Sequence, residues 1–230
     1  MCDRCNRREF LGAAAISGLL LATTRAGAAP ADADSTPVRV ILDTDVDQDC
    51  DDIGALFVLH GAVELGEVRL LATMGCTSSD AIAPCLDAIN TWFGRPEIPV
   101  GTLKDRGFLA HTGFADELIR RYPHRFPSGR DYPDAVALYR RVLSKQPDGS
   151  VVVVAVGPLR NLANLLRSHP DDASPLDGRA LVAKKVKRLD VMGGTYPPFA
   201  NAKEAEWNFK QDPASAGLVC STWPTPVLFT

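Results

Sequence analysis

Residues 38–42 read Val-Arg-Val-Ile-Leu, a run rich in β-branched residues, and the ten positions that follow hold six aspartates: Asp43, Asp45, Asp47, Asp49, Asp51 and Asp52. A run of that length and composition fits a buried strand, so the acidic stretch behind it puts a group of carboxylates at the strand's carboxyl end. At about 5 Å and an effective dielectric near 20, two ionised carboxylates repel by roughly 3 kcal/mol. The cluster must therefore protonate, spread into water or gather around a cation. A hard divalent ion suits oxygen-only donors best. An EF-hand is excluded, because a loop beginning at Asp45 puts Cys50 where the turn glycine belongs and Leu56 where the bidentate acid belongs.

Strand-like and helix-like patterns alternate after this point. Val38–Leu42, Val68–Thr73 and Val151–Val156 read as buried strands, with Lys187–Met192 and Pro226–Phe229 as weaker ones. Asp80 can cap a helix whose apolar face is Ile82, Cys85, Leu86, Ile89 and Phe93, stopped by Gly94. Ala135, Val136, Leu138, Tyr139, Val142 and Leu143 repeat with the same period, ended by Pro147 and Gly149. Pro158 opens a third helix with Leu159, Leu162, Ala163 and Leu166 facing inward. The alternation predicts an α/β fold with an open, mostly parallel sheet flanked by helices and a Rossmann-like core. Ligands in such sheets bind beyond the carboxyl ends of strands. The Asp cluster, Val156-Gly157 and Met192-Gly193-Gly194 all fall at such ends and are expected to converge on one crevice.

The N-terminus carries Arg7 and Arg8, then Glu9-Phe10-Leu11, an uncharged run from Gly12 to Thr24, and the small residues Ala26, Gly27 and Ala28. This order predicts a twin-arginine export signal over residues 1–28, a polar linker over 29–37 and one domain over 38–230. The apolar run is too short for a permanent bilayer anchor, so an exported protein, periplasmic or extracellular, with no membrane contact after cleavage is expected. Loss of the signal moves the net charge from −3 to −5, which disfavours nucleic acid as a partner and leaves a homo-oligomer open. Cys2 and Cys5 leave with the signal. The remaining Cys50, Cys76, Cys85 and Cys220 are expected to be mostly free, with Cys85 and Cys220 as buried thiols.

Four ordered segments give a sharper reading: Asp43-Thr44-Asp45 with Asp51-Asp52, Val154–Leu166 (VAVGPLRNLANLL), Met192-Gly193-Gly194, and Ala205–Pro213 (AEWNFKQDP). Together they resemble the inosine-uridine-preferring nucleoside hydrolase family. The resemblance implies a nucleoside hydrolase-like parallel sheet, a bound calcium ion (Ca2+), and hydrolysis of the N-glycosidic bond of ribonucleosides, small-molecule substrates, to ribose and free base. By that similarity Asp45 binds calcium and takes a proton from the attacking water. Asp52 and the backbone carbonyl of Val156 are further calcium ligands. Asp51, Glu206, Asn208 and Asn201 hydrogen-bond the ribose hydroxyls. A Glu and an Asn two residues apart on an extended segment would share one face, which suits paired hydroxyls.

The chain departs from the commonest family pattern at three places. The acidic loop is two residues longer, so Asp47 and Asp49 are expected to face solvent or to shift the metal geometry. The second strand ends in Met74-Gly75-Cys76-Thr77-Ser78 where many members carry an asparagine for the sugar, so that contact is either absent or taken by Thr77 or Ser78. The chain ends at Thr230, roughly two thirds of the way through the usual domain, so an incomplete sheet is expected, and His111 is either a solvated loop residue or, if its loop closes over the base, a substitute acid. Two other readings compete with hydrolysis: a catalytically silent nucleoside- or ribose-binding protein, and a haloacid-dehalogenase-like phosphatase using Asp43 and Asp45.

Overall fold

The computed structural model describes residues 36–47, 50–110, 113–195 and 205–230. Residues 1–28, where an export signal is expected, and residues 29–35 of the expected linker lie outside them. The described chain forms a six-stranded sheet in which every pairing is parallel, in the order β3-β2-β1-β4-β5-β6. The strands are β1 (Val38–Thr44), β2 (Val68–Gly75), β3 (Val100–Thr102), β4 (Val151–Ala155), β5 (Val186–Val191) and β6 (Val227–Phe229). This is the doubly wound order, whose direction of winding reverses between β1 and β4.

Helices cover both faces. On one side lie α1 (Asp51–Glu64), α2 (Ile82–Trp92) and α3 (Ala115–Arg121). On the other lie α4 (Ala135–Ser144), α5 (Arg160–Arg167), α6 (Gly178–Lys185) and, after the short α7 (Trp207–Gln211), α8 (Pro213–Thr222). The two-residue repeat of β1 divides its side chains between these layers. Val40 and Leu42 join the core under α1–α3, while Ile41 joins the core under α4–α6. Ile41 and Leu42 are fully buried. Burying an aliphatic side chain of this size contributes about 1.5–3 kcal/mol.

The strand expectations hold with ends shifted by a residue or two, and the three expected helices form α2, α4 and α5. Strand β3 and helices α1, α3, α6, α7 and α8 were not among those expectations, and one cap differs. Ala81, not Asp80, is the N-cap residue of α2; the Asp80 carboxylate instead accepts from Ser128 Oγ at 3.3 Å and Arg130 Nε at 3.2 Å. The stop at Gly94 is real: its φ of +74° lets Gly94 N–H reach the Thr91 carbonyl at 2.9 Å. Helix α1 was not legible, because apolar residues surround it. Asp52, Leu56 and His60 face inward at four-residue spacing, yet Phe57 and Val58 remain 51% and 72% exposed. Among the described residues no helix is long and apolar enough to cross a membrane.

A buried polar chain ties α1 to the sheet. His60 Nε2 donates to Asn90 Oδ1 at 3.0 Å, and Asn90 Nδ2 donates to Thr73 Oγ1 at 3.2 Å. Burial holds the His60 imidazole down at about 4; the Asn90 bond opposes this and the Arg95 charge adds to it. The unfolded chain therefore binds a proton here that the folded chain refuses, so His60 removes stability as pH falls from 6.5 to about 4. Urea unfolding across that window should show a shallower pH slope for His60→Gln than for the parent chain; parallel slopes would contradict it.

Candidate active site

The two-residue repeat that sorts the core also sorts the acidic residues at the end of β1. Asp43 continues the face of Ile41 and meets α4 and α5: its Oδ2 accepts from Tyr139 Oη at 2.8 Å and from Asn161 Nδ2 at 3.1 Å. Thr44 continues the face of Leu42 and donates its hydroxyl to Asp52 Oδ1 at the start of α1. The same hydroxyl accepts from Val46 N–H at 3.1 Å, which turns the chain just past Asp45. Asp45 leaves the strand toward the point where the sheet reverses.

A cleft of about 300 Å³ opens there. Asp45, Asp51 and Asp52 line it from the β1–α1 connection, Val156 from the end of β4, Met192 from the end of β5, and Glu206, Trp207 and Asn208 from the start of α7. The expected convergence of strand ends is thus realised. Asp45 and Asp52 are only 5% and 4% exposed, whereas Asp51 is exposed and accepts from Asp52 N–H at 3.0 Å. Trp207 is 43% exposed at the lip.

Beneath the cleft the Cys76 thiol is pushed well above its ordinary value, first by burial and then by the charges of Asp45, Asp43 and Asp52. It is a neutral group among acids. Burial pushes Asp43 up to about 7, with the Tyr139, Asn161 and Cys76 hydrogen bonds pulling the other way. Gly157 closes the floor. A Cβ there would lie 2.4 Å from Asp45 Oδ1 and 2.6 Å from Cys76 Sγ. Glycine is needed at 157 for space, since it lets the backbone press against the Asp45 carboxylate.

Glu206 and Asn208 lie side by side, but not on an extended segment. Glu206 is the N-cap of α7: Oε1 accepts from Asn208 N–H at 2.7 Å and Oε2 from Phe209 N–H at 3.0 Å. Oε2 also accepts from Gly194 N–H at 3.2 Å, joining the turn after β5 to the helix. The Asn208 side chain, 4% exposed, donates to the carbonyls of Val156 at 3.2 Å and Met192 at 3.3 Å. It clasps the ends of β4 and β5.

Asp47 does not face solvent. It is 3% exposed, and its Oδ1 accepts from Ala115 N–H at 2.8 Å at the start of α3. The Ser78 hydroxyl donates to the Phe108 carbonyl at 3.0 Å. Cys220 is exposed rather than buried, on the outer side of α8; Cys50, Cys76 and Cys85 are likewise free thiols. Asn201, His111 and Asp49 lie outside the described residues. Met192 was read as part of a converging strand end, but no site role was read from sequence for Trp207, Tyr139 or Asn161. The last two carried a signal, because both sit on inward helix faces, where a polar atom requires a partner.

Among the described residues no three His, Cys, Asp or Glu side chains gather as a metal site. The cleft offers two buried carboxylates and, on Val156, a main-chain carbonyl. This is an oxygen-only set that suits a hard divalent cation whose remaining places are filled by water and sugar hydroxyls.

The family described as inosine-uridine preferring nucleoside hydrolase matches residues 40–230. A curated rice protein, "Probable uridine nucleosidase 2" of Oryza sativa subsp. japonica, is 31% identical over 204 residues, covering 80% of this chain and 53% of its own. The pyrimidine-specific ribonucleoside hydrolase RihA of Citrobacter koseri is 27% identical, covering 76% of this chain and 54% of its own. The chain spans about half the length of these curated relatives. In fold it resembles the purine-preferring ribonucleoside hydrolase from Gardnerella vaginalis, with a TM-score of 0.57 at 19% identity over 83% of this chain and 60% of that one. It also resembles the type III effector XopQ, solved with adenosine diphosphate ribose, with a TM-score of 0.62 at 18% identity over 84% and 56%. Because the match runs from β1 to β6 and takes in every segment that lines the cleft, the chain belongs to the inosine-uridine preferring nucleoside hydrolase family.

Proposed function

We propose that this cleft hydrolyses the N-glycosidic bond of a ribonucleoside to ribose and a free base, with calcium held by Asp45, Asp52 and the carbonyl of Val156. The observation that carries the reading is the meeting of two nearly buried carboxylates and the end of β4 in one cleft at the reversal of the sheet. Breaking the bond builds positive charge at C1′, and a pocket lined by Asp45, Asp51, Asp52 and Glu206 stabilises that charge. Asp45 takes the proton from the attacking water. When bound, the cation would lower the pKa of that water and orient it.

Asp51, Glu206 and Asn208 bind the ribose hydroxyls. The three N–H groups on Glu206 lock its rotamer. A carboxylate has about four acceptor positions, so Glu206 can still receive a sugar hydroxyl. The two carbonyls that accept from its nitrogen hold the Asn208 amide in place, and its oxygen can accept from a sugar hydroxyl. The arginine pair at Arg7-Arg8 supports an exported enzyme acting on nucleosides outside the cytoplasm.

Incubation with inosine and uridine should release free base, followed by chromatography, and a chelator should suppress it until calcium is restored. No release from either nucleoside at any calcium concentration would reject hydrolysis. Asp45→Asn should lower the rate by about 10² to 10⁴, the usual contribution of a general base. Gly157→Ala should cost about 10² in kcat, because the new methyl displaces the Asp45 carboxylate and small misplacements are that costly. A variant at Gly157 that folds and keeps full rate would show that this contact does not place the base.

A further inference from the structure

Behind the cleft lies a polar group that the proposed chemistry does not use. Asp43, Tyr139 and Asn161 are 1%, 0% and 0% exposed. Tyr139 Oη and Asn161 Nδ2 both donate to Asp43 Oδ2, and the same Asn161 nitrogen donates to the Gly75 carbonyl at 3.1 Å. One carboxylate oxygen therefore joins β1 to α4 and α5, and Asn161 extends the link to the end of β2. Backbone bonds carry it outward. Val156 N–H donates to the Asp43 carbonyl at 2.9 Å, and Cys76 N–H donates to the Thr44 carbonyl at 2.9 Å.

Such a group is a poor way to gain stability alone. Burying polar atoms costs free energy that hydrogen bonds only offset, and well-packed apolar residues of like volume often do as well or better. Asn161 Oδ1 is buried with no hydrogen-bond partner, a cost that an aliphatic side chain would avoid. What the polar group does supply is direction: each bond fixes where one strand end stops relative to the next.

We propose that Asp43, Tyr139 and Asn161 are positioning residues. They hold the ends of β1, β2 and β4 so that the Asp45 carboxylate and the Val156 carbonyl face one point in the cleft. The consequence for calcium rests on the function proposed above; the consequence for backbone order does not.

Tyr139→Phe removes a single oxygen, and Asn161→Ser withdraws the amide. Leu143→Ala, fully buried on the same helix as Tyr139, is the control for stability lost away from the group. Calcium titration calorimetry on the whole chain should show affinity reduced about 10- to 100-fold in the first two variants, the usual effect of losing a partner behind metal ligands. The control should lower the melting temperature and leave affinity within about twofold. Amide hydrogen exchange without metal should quicken at Val156 and Cys76 in the first two variants beyond its rate in the control. If both variants bind calcium and exchange these amides as the control does, the positioning role is overturned. If the parent chain takes up no calcium while exchange responds as stated, the positioning role stands and the calcium reading falls.

Discussion

The constraint on which this structure turns is the end of β1, where negative charge is brought into the middle of a parallel sheet. β1 is bordered by β2 on one side and β4 on the other, so its terminus cannot spread into open solvent. The side-chain repeat distributes the acids instead. Asp43 goes to one helical layer, where a tyrosine and an asparagine receive it; Thr44 goes to the other, where it meets Asp52; Asp45 is delivered to the cleft. Repulsion of roughly 3 kcal/mol per close pair gives such an arrangement a standing preference for a cation.

Around that terminus the fold is a device for bringing distant segments to one spot. Asn208 clasps the ends of β4 and β5, and Glu206 fastens the turn at Gly194 to the first turn of α7. Both residues bear on the architecture of the cleft as well as on the proposed grip on ribose. A substitution at either would therefore disturb shape and binding together, which makes them poor tests of chemistry. Asp45 and Gly157 are cleaner, since one carries the proposed base and the other only adjoins it.

Much of the fold could be read from the chain because its signals were local. The valine run at 151–154 and the inward stripe of Leu159, Leu162 and Ala163 each declare an element within a few residues. The site was legible to the extent that strand ends in a parallel sheet must share one side, which brought the Asp cluster, Val156 and Met192 together before any coordinates, whereas Glu206 and Asn208 came only through the family resemblance. What escaped depended on partners far along the chain. Asp47 is buried because Ala115, 68 positions away, needs an acceptor. Asp43 is satisfied by Tyr139 and Asn161, 96 and 118 positions away. The turn of α7 at Glu206 was hidden for another reason: two residues suffice for an extended reading, while a cap is recognised by the N–H groups it receives.

The central claim is that a hard cation sits between Asp45, Asp52 and the carbonyl of Val156. A crystal structure of the chain grown with calcium, with anomalous difference density, tests it most directly. The account predicts a peak about 2.3–2.6 Å from an oxygen of each of these three residues. Clear density for all three side chains and backbones with no peak between them, or a peak bound elsewhere, would contradict it.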